Sequence, residues 1–287
     1  MPNLRLTKKE RLSSFRKIAI GTWRTVGDPS VYGCLELPAA KALLYIEEFR
    51  RRTGKHLTIS HLMAKAVAMV LAENPDANAI LRWNRIYLRK DIGVFFQVEM
   101  KDPKTGEVDL SGATIFDAHE KTIEQIVDEF QARVDKVKSG KDKELEGTRG
   151  TFRIVPYFFL NRLLSILSFL LYTLNLDLRW AGVPRDAFGS AMVTNIGSLG
   201  LEEAYVPLVP YSHVPLLIAV GAVREEPVVE GGQVVVGKVL RCFATFDHRV
   251  LDGVHAARMS KTIRRVFDDP EAGFGALPAP SLPERAP

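Results

Sequence analysis

The segment 246–253 near the C-terminus carries the residues best suited to acid–base chemistry. It reads Phe-Asp-His-Arg-Val-Leu-Asp-Gly, so His248 is followed four residues later by Asp252 and then by Gly253. A neutral imidazole can take a proton from a thiol or a hydroxyl and return it later. Asp252 could fix the loop through an ion pair, and Gly253 could permit a positive φ or a close backbone approach. A core histidine followed by an aspartate that caps the next helix would give the same pattern, so the segment alone does not decide.

The sequence on either side of this segment predicts how it is presented. An apolar stretch that begins near Val234, just after Gly231 and Gly232, predicts a strand preceded by a hairpin turn. Beyond Gly253 the apolar residues recur at spacings of three and four, which predicts a helix. His248 is therefore expected where a strand ends and a loop leads into a helix, a place where rigid scaffolds often present catalytic groups.

The rest of the chain predicts a mixed α/β protein. The first thirty residues predict a short helix and an extended lead-in. Helices are predicted from Pro38 to Thr53, from Thr58 to Asn74 and over 121–137. The predicted strands lie around 86–88, 94–96, 107–115, 191–194 and 216–223. This order favours a two-layer sandwich, in which a mixed sheet is covered by helices.

The pattern predicts a single domain over residues 1–276 with an insertion near 138–188. The insertion begins with a charged, Gly-containing loop at 138–149, which is typical of a surface segment. The tail at 277–287 is rich in proline and is expected to be disordered.

Composition narrows the function classes. The 287 residues carry a formal net charge of +5, and no dense Lys/Arg stripe interleaved with aromatics indicates nucleic-acid binding. The two cysteines, Cys34 and Cys242, lie far apart and lack metal-ligand spacing, so we expect two small buried residues, no disulfide and no metal. The N-terminus has no apolar core of a signal peptide, which favours a cytoplasmic protein.

An uncharged run at 163–176 is the most apolar part of the chain. It falls short of the roughly 18–20 residues that a membrane span needs. We expect a helix buried in the core or at a subunit interface. A hydrophobic lid or a membrane-touching helix, serving a long-chain acyl substrate, is the less favoured alternative.

Several segments together resemble a known family. The segment 247–253 resembles the Asp-His-Arg-x-x-Asp-Gly signature of the catalytic domain of dihydrolipoamide acyltransferases, the acyl-transferring components of 2-oxo acid dehydrogenase complexes. The segment 193–200 resembles that family's Ser/Thr-Asn-hydrophobic-Gly stretch, and 16–19 is similar to its Arg-x-x-Ala opening. Chloramphenicol acetyltransferases share the fold, so the resemblance implies a chloramphenicol acetyltransferase-like two-layer sandwich.

The resemblance also implies a reaction and a set of site residues. His248 would be the general base of acyl transfer between coenzyme A and a thiol or other nucleophile, and Thr194 would stabilise the oxyanion. Arg16 would pair with Asp252, and Asn195 and Gly253 would support the site structurally.

Family members are trimers with active sites between subunits, which implies a homotrimer or a larger assembly built from trimers. Coenzyme A would enter as acyl-coenzyme A. No lipoyl domain is expected in this chain, so a separate lipoyl-bearing protein or a dehydrogenase component is a possible partner.

Two other functions stay open at this point. The chain could be a non-catalytic scaffold or interaction subunit of a 2-oxo acid dehydrogenase-type complex, although it retains His248, Asp252 and Thr194. It could instead be an antibiotic acetyltransferase, although such enzymes usually carry a second histidine directly before the catalytic one. The altered sequence around 100–188 leaves the acyl group and the acceptor undetermined.

Overall fold

The computed structural model describes residues 2–8, 28–101, 108–138 and 157–279. Arg16 and most of the predicted N-terminal helix and lead-in lie outside these residues. So do most of the charged loop and the last eight residues of the predicted tail.

The described residues form nine strands and six α-helices in an order that confirms the predicted α/β pattern. The strands are β1 Leu6–Lys8, β2 Ser30–Pro38, β3 Ala79–Arg82, β4 Arg85–Arg89, β5 Gly93–Lys101, β6 Val108–Phe116, β7 Ala191–Asn195, β8 Leu216–Glu230 and β9 Gln233–Asp247. The helices are α1 Ala40–Thr53, α2 Ile59–Glu73, α3 Ile123–Lys138, α4 Tyr157–Ser168, α5 Gly253–Asp268 and α6 Pro270–Phe274.

Six strands form the main sheet in the order β2-β9-β8-β7-β5-β6. Strand β7 runs parallel to both of its neighbours, β8 and β5, whereas the other pairs are antiparallel. The predicted mixed sheet is therefore confirmed. A second, smaller sheet has the order β1-β4-β3.

Helices cover one face of the main sheet and enclose the principal core there. Phe49 of α1, Leu62 of α2 and Phe267 of α5 are fully buried against sheet residues such as Leu216. The opposite face is covered by irregular chain, and it has a smaller apolar cluster around Phe243. The two-layer α/β sandwich predicted from the sequence is thus confirmed.

Local sequence signals explain where several elements begin and end. Thr58 caps α2 as predicted, and its hydroxyl lies 2.8 Å from Nδ1 of His61 in a reciprocal capping box. Gly54 ends α1 at a φ of 69°. Gly231 and Gly232, with φ values of 57° and 82°, form the two-residue turn between β8 and β9.

The apolar run at 163–176 differs from its prediction. It forms the end of α4 and a π-helical turn, Phe169–Thr173, but it does not enter the main core. Leu171 and Tyr172 are buried against the small sheet, whereas Ile166 and Phe169 are exposed. Burial of the whole run in the core of one chain was therefore a wrong prediction, because an apolar run does not reveal how much partner surface the fold provides for it. Burial at a subunit interface, the other predicted alternative, stays a prediction.

The two cysteines also differ from each other. Cys242 faces the helix layer and is buried, as predicted. Cys34 is exposed, which corrects the prediction that it is buried. It lies on β2, an edge strand, where alternate side chains point away from the helices.

The first residues of the Pro-rich tail contact the domain. The carbonyl oxygen of Pro278 accepts a hydrogen bond from Nη1 of Arg52 at 3.2 Å. Three residues earlier, the carbonyl oxygen of Gly275 accepts one from the Tyr45 hydroxyl at 2.9 Å. Disorder of the tail beyond residue 279 remains a prediction.

Candidate active site

His248 lies in the short connection between β9 and α5, where the sequence predicted it. Strand β9 ends at Asp247 and helix α5 begins at Gly253. The backbone N–H of His248 donates to the carbonyl oxygen of Pro29, which precedes β2, at 2.9 Å. The histidine is therefore fixed to the edge of the main sheet and is half-buried.

The imidazole ring is oriented by a backbone carbonyl. Nδ1 of His248 lies 2.9 Å from the carbonyl oxygen of Leu251. A carbonyl oxygen can only accept, so Nδ1 carries the proton in this hydrogen bond, and Nε2 carries the lone pair. The geometry thus assigns the tautomer that a general base acting through Nε2 requires.

Asp247 and Arg249, on either side of His248, form hydrogen bonds that stabilise this connection. The buried carboxylate of Asp247 accepts from Nη2 of Arg249 at 2.7 Å and from its backbone N–H at 2.9 Å. The carbonyl oxygen of Asp247 accepts from the backbone N–H of Leu251 at 2.8 Å. The chain from 247 to 251 is consequently a closed turn, and this closure holds Leu251 near His248.

Asp252 is the N-cap of α5. Its Oδ1 accepts from the backbone N–H of Val254 at 3.0 Å and from that of His255 at 3.2 Å. The same oxygen lies 2.7 Å from Nδ1 of His255. Asp252 therefore fixes the start of α5 directly beside Leu251, whose carbonyl orients His248. The predicted partner Arg16 lies outside the described residues, so that ion pair stays a prediction.

Gly253 has neither of the two features that the sequence argument gave it. Its φ is not positive, and a Cβ placed on it would meet no atom of this chain within 4 Å. It is simply the first residue of α5. Gly197 makes the close approach instead, because a Cβ there would lie 2.5 Å from the backbone nitrogen of Ala222.

Thr194 and Asn195 end strand β7. Nδ2 of Asn195 donates to the hydroxyl of Ser60 in α2 at 2.9 Å, and its Oδ1 accepts from the backbone N–H of Ser198 at 3.0 Å. These bonds tie the end of β7 to the helix layer and to the turn that follows. Thr194, directly before Asn195, is half-buried.

The sheet register separates Thr194 from His248 within one chain. Thr194 pairs with Ala219 of β8, which in turn pairs with Phe243 of β9. His248 lies five residues beyond Phe243, so the two site residues are about 17 Å apart along the strands and about 10 Å apart across them. The resulting separation of roughly 20 Å is too large for both side chains to contact one carbonyl group.

Three residues near these segments were missed by the sequence argument. The tertiary fold alone brings Ser60 into contact with Asn195 and places His213 near the charges of Asp247 and Arg249, so the local sequence of these two residues gave no signal. His255 stands three residues after Asp252, which is the spacing of a capping box, and this pattern could have revealed it.

His213 contacts the apolar segment and lies near the charged residues of the histidine turn. Its Nε2 lies 2.7 Å from the hydroxyl of Ser168 in α4, and its ring centre lies 4.9 Å from that of Tyr172. Burial, assisted by the nearby charge of Arg249 and opposed by that of Asp247, lowers the pKa of His213 to about 4. His213 is therefore a neutral hydrogen-bonding group at neutral pH.

Within the described ranges, no cluster of three His, Cys, Asp or Glu side chains could hold a metal ion. No helix in these ranges is long and apolar enough to cross a membrane.

Solved structures identify the fold of this chain. A probable dihydrolipoamide acetyltransferase from Listeria monocytogenes has a TM-score of 0.62 and 17% identity, with 98% of each chain covered. Dihydrolipoamide acetyltransferase from Azotobacter vinelandii, studied for the catalytic roles of one serine, one histidine and one asparagine, also has a TM-score of 0.62. That match has 19% identity and covers 93% of this chain and 94% of the other. The chain thus has the fold of an acyltransferase catalytic core.

The sequence identifies the family. Residues 7–156 and 186–274 match the model of the 2-oxoacid dehydrogenases acyltransferase catalytic domain, and the chain belongs to this family. The lipoamide acyltransferase component of the branched-chain alpha-keto acid dehydrogenase complex from Bacillus subtilis is 23% identical over 222 residues. These residues are 77% of this chain and 42% of that protein, so the chain spans less than half of that relative. The unmatched residues 157–185 lie within the predicted insertion and include α4.

Proposed function

We propose that this protein is a coenzyme A-dependent acyltransferase that moves an acyl group between coenzyme A and a thiol acceptor. The observation that carries the proposal is the hydrogen bond from Nδ1 of His248 to the Leu251 carbonyl, because it leaves Nε2 as the basic atom. Family membership supplies the reaction class. Dihydrolipoamide, which is part of the names of two solved structures with this fold, is the first acceptor to test.

The proposed reaction needs one group that accepts and returns a proton and one group that donates a hydrogen bond to the oxyanion. Nε2 of His248 takes the proton of the attacking thiol, and the sulfur forms a bond to the carbonyl carbon of the acyl thioester. The carbonyl oxygen becomes an oxyanion, which the hydroxyl of Thr194 stabilises by donating a hydrogen bond. When the bond to the leaving sulfur breaks, that thiolate takes the proton from His248 and leaves as a thiol.

We further propose that each site lies between two subunits of a homotrimer, alone or within a larger assembly. The separation of roughly 20 Å between Thr194 and His248 in one chain supports this arrangement, because a second copy would have to supply the other residue. An acyl acceptor on a separate lipoyl-bearing protein, together with a dehydrogenase component, would be the corresponding partners.

Asp252 is proposed to act through the backbone and not as a proton carrier. In the Azotobacter vinelandii enzyme, the asparagine studied stands four residues after the histidine, as Asp252 stands after His248. Asparagine and aspartate are both good N-caps, whereas only aspartate carries a charge. A capping role for Asp252 is therefore compatible with an asparagine at the same spacing from a histidine in that enzyme.

The direct test is acyl transfer from a panel of acyl-coenzyme A thioesters to dihydrolipoamide, followed by chromatography of the acylated product. His248→Ala should lower kcat by about 10²–10⁴-fold, because the general base is lost. His56→Ala, which changes an exposed histidine outside the site, is the matched control and should keep the wild-type rate. Unchanged turnover in His248→Ala would refute the role of this histidine. Failure of the whole panel, combined with stable binding to a dehydrogenase component, would favour a scaffold subunit.

A further inference from the structure

Six large apolar side chains are exposed on and beside the segment that the family model does not match. Trp180 has 84% of its surface exposed and Trp83 has 58%, which is unusual for the largest apolar residue type. We call this set the exposed apolar face: Trp83, Ile166, Phe169, Leu174, Leu176 and Trp180.

Contacts between the small sheet and the inserted segment bring this face together. The rings of Trp83 and Phe169 meet edge to face, with centres 6.0 Å apart. Leu176 forms an isolated β-bridge with Pro2, and the neighbouring Asn175 donates to the carbonyl oxygen of Leu4 at 2.9 Å. Two chain segments therefore contribute to the face, the turn at Trp83 and the inserted segment, and the N-terminal residues hold the inserted segment in place beside the small sheet.

Basic residues border the exposed apolar face. A depression of about 410 Å³ lies on the small sheet and reaches Asn175, next to Leu174 and Leu176. Its lining residues are Pro2, Leu4, Arg5, Leu6, Lys8, Arg82, Tyr87, Lys90 and Asn175. This lining includes four cations and no acid.

The acidic groups of this region already have basic partners. Asp91 pairs with Arg5 and lies 3.7 Å from Arg185, and Asp177 pairs with Arg179 at 2.7 Å. The region thus has an excess of positive charge next to an exposed apolar surface.

The turn between β3 and β4 presents the most prominent side chain of the face. Arg82 and Arg85 flank Trp83 and Asn84, whose φ values of 51° and 57° are both positive. Asparagine and glycine favour such a two-residue turn, whereas a bulky residue there is conformationally unfavourable. Trp83 is therefore a poor choice for the turn itself, and its side chain packs only partly against the fold.

We propose that the exposed apolar face docks on the surface of an anionic lipid bilayer. Tryptophan is enriched at the headgroup level of membranes, where Trp83 and Phe169 would insert. Arg82, Arg85 and Lys90 would face the lipid phosphates, since basic residues near an anionic bilayer are attracted to it. The protein would lie on the membrane and not span it.

Charge favours a bilayer over a two-fold contact with a second copy of this chain, because such a contact would bring the same basic border against itself, which is repulsive. A contact of the cyclic kind, as in the proposed homotrimer, would set the border against a different surface, and the oligomeric mass of Trp83→Asn tests for it. An anionic bilayer neutralises the border and accepts the apolar side chains at once. The proposal departs from the preference drawn from the sequence, which disfavoured membrane contact, because the apolar run lies partly at the surface.

The experiment is co-sedimentation of the full chain with vesicles of phosphatidylcholine alone or with one third phosphatidylglycerol, at low and high salt. The wild-type chain should bind the anionic vesicles at low salt and dissociate at high salt. Arg85→Gln should weaken binding about fivefold, which corresponds to one basic residue near an anionic surface. Tryptophan emission should shift to shorter wavelength on binding.

Trp83→Asn is the decisive variant, because asparagine fits the turn better than tryptophan does. It should keep or raise the thermal unfolding temperature while it abolishes most of the vesicle binding and of the emission shift. Leu44→Ser, on the exposed side of α1, removes an equally exposed apolar side chain and should leave vesicle binding unchanged.

Three results would overturn the proposal. The first is no binding of the wild-type chain to anionic vesicles at low salt, and the second is equal binding by Trp83→Asn. The third is a lower oligomeric mass of Trp83→Asn in sedimentation equilibrium, which would make the face a contact between copies. None of these measurements depends on acyl transfer, so they are separate from the test of the proposed function.

Discussion

Subunits without His248 and subunits without Thr194 should restore each other's acyl transfer when they assemble together. Each variant alone should be nearly inactive. His248→Ala removes the proposed base, at a cost of about 10²–10⁴ in kcat. Thr194→Val removes the proposed oxyanion donor, at a cost of about 10²–10³, while it keeps a β-branched residue in strand β7. Because the two residues lie roughly 20 Å apart in one chain, the proposed mechanism requires that each site combine them from different copies.

The expected recovery follows from counting the sites of a cyclic trimer. When the two variants are mixed in equal amounts, half of the positions supply an intact His248. For each of these positions, the neighbouring chain that would complete the site carries an intact Thr194 in half of the cases. About a quarter of all sites should then be complete, so the mixture should reach about a quarter of the wild-type rate per chain.

The assay needs chains that have exchanged. Co-expression with two affinity tags, followed by purification through both, gives mixed trimers whose composition native mass spectrometry can check. Because this purification removes trimers of a single variant, and each mixed trimer has one complete site of three, the purified trimers should reach about a third of the wild-type rate per chain. The double variant mixed with His248→Ala gives the background, because no site in that mixture contains the histidine. Background activity in mixed trimers of the two single variants would refute the reasoning that the site combines His248 and Thr194 from neighbouring chains.

Three further predictions concern the residues that support the site. Asp252→Asn should retain most of kcat, because asparagine can cap α5. Asp252→Ala should lose activity and about 1 kcal/mol of unfolding free energy, because alanine cannot cap the helix. Equal activity of the two variants would contradict the capping role. Gly197→Ala should lower the unfolding free energy by about 1–3 kcal/mol in urea titrations, because the added Cβ would lie 2.5 Å from backbone atoms. Gly33→Ala is the control: its Cβ would meet no atom within 4 Å, so its unfolding free energy should change little. Burial lowers the pKa of His61 to about 4 in the folded chain. Below pH 6.5 the unfolded chain therefore binds a proton at this histidine that the folded chain does not bind. The free energy of unfolding consequently decreases as the pH falls from 6.5 towards 4. By pH 5 the decrease in unfolding free energy caused by this histidine is roughly 2 kcal/mol. His61→Gln can keep the capping box but does not titrate, so its urea midpoint should decline less between pH 7 and pH 5 than that of the wild type. An equal decline in both proteins would refute the role given to His61.

Patterns within short stretches of sequence predicted most of the secondary structure. The capping box at Thr58 and the turn at Gly231 and Gly232 depend on bonds between residues close in sequence. For the same reason, the strand-to-helix exit at His248 was predictable. The role given to Gly253 failed, because a glycine in a motif does not reveal whether another chain segment approaches it; in the described structure the close approach occurs at Gly197.

The sequence by itself determined the α/β order of elements, the motifs that carry the chemistry and the family to which they point. Only the tertiary structure decided which nitrogen of His248 carries the proton, because that depends on how the turn closes on Leu251. Only the register of β7, β8 and β9 showed that Thr194 and His248 are far apart in one chain, which is the ground for proposing that a second chain completes the site. The exposure of Phe169 and Trp83 was likewise a tertiary outcome. Apolar side chains are buried only where other segments supply a matching surface, and a linear pattern cannot show how far that surface extends.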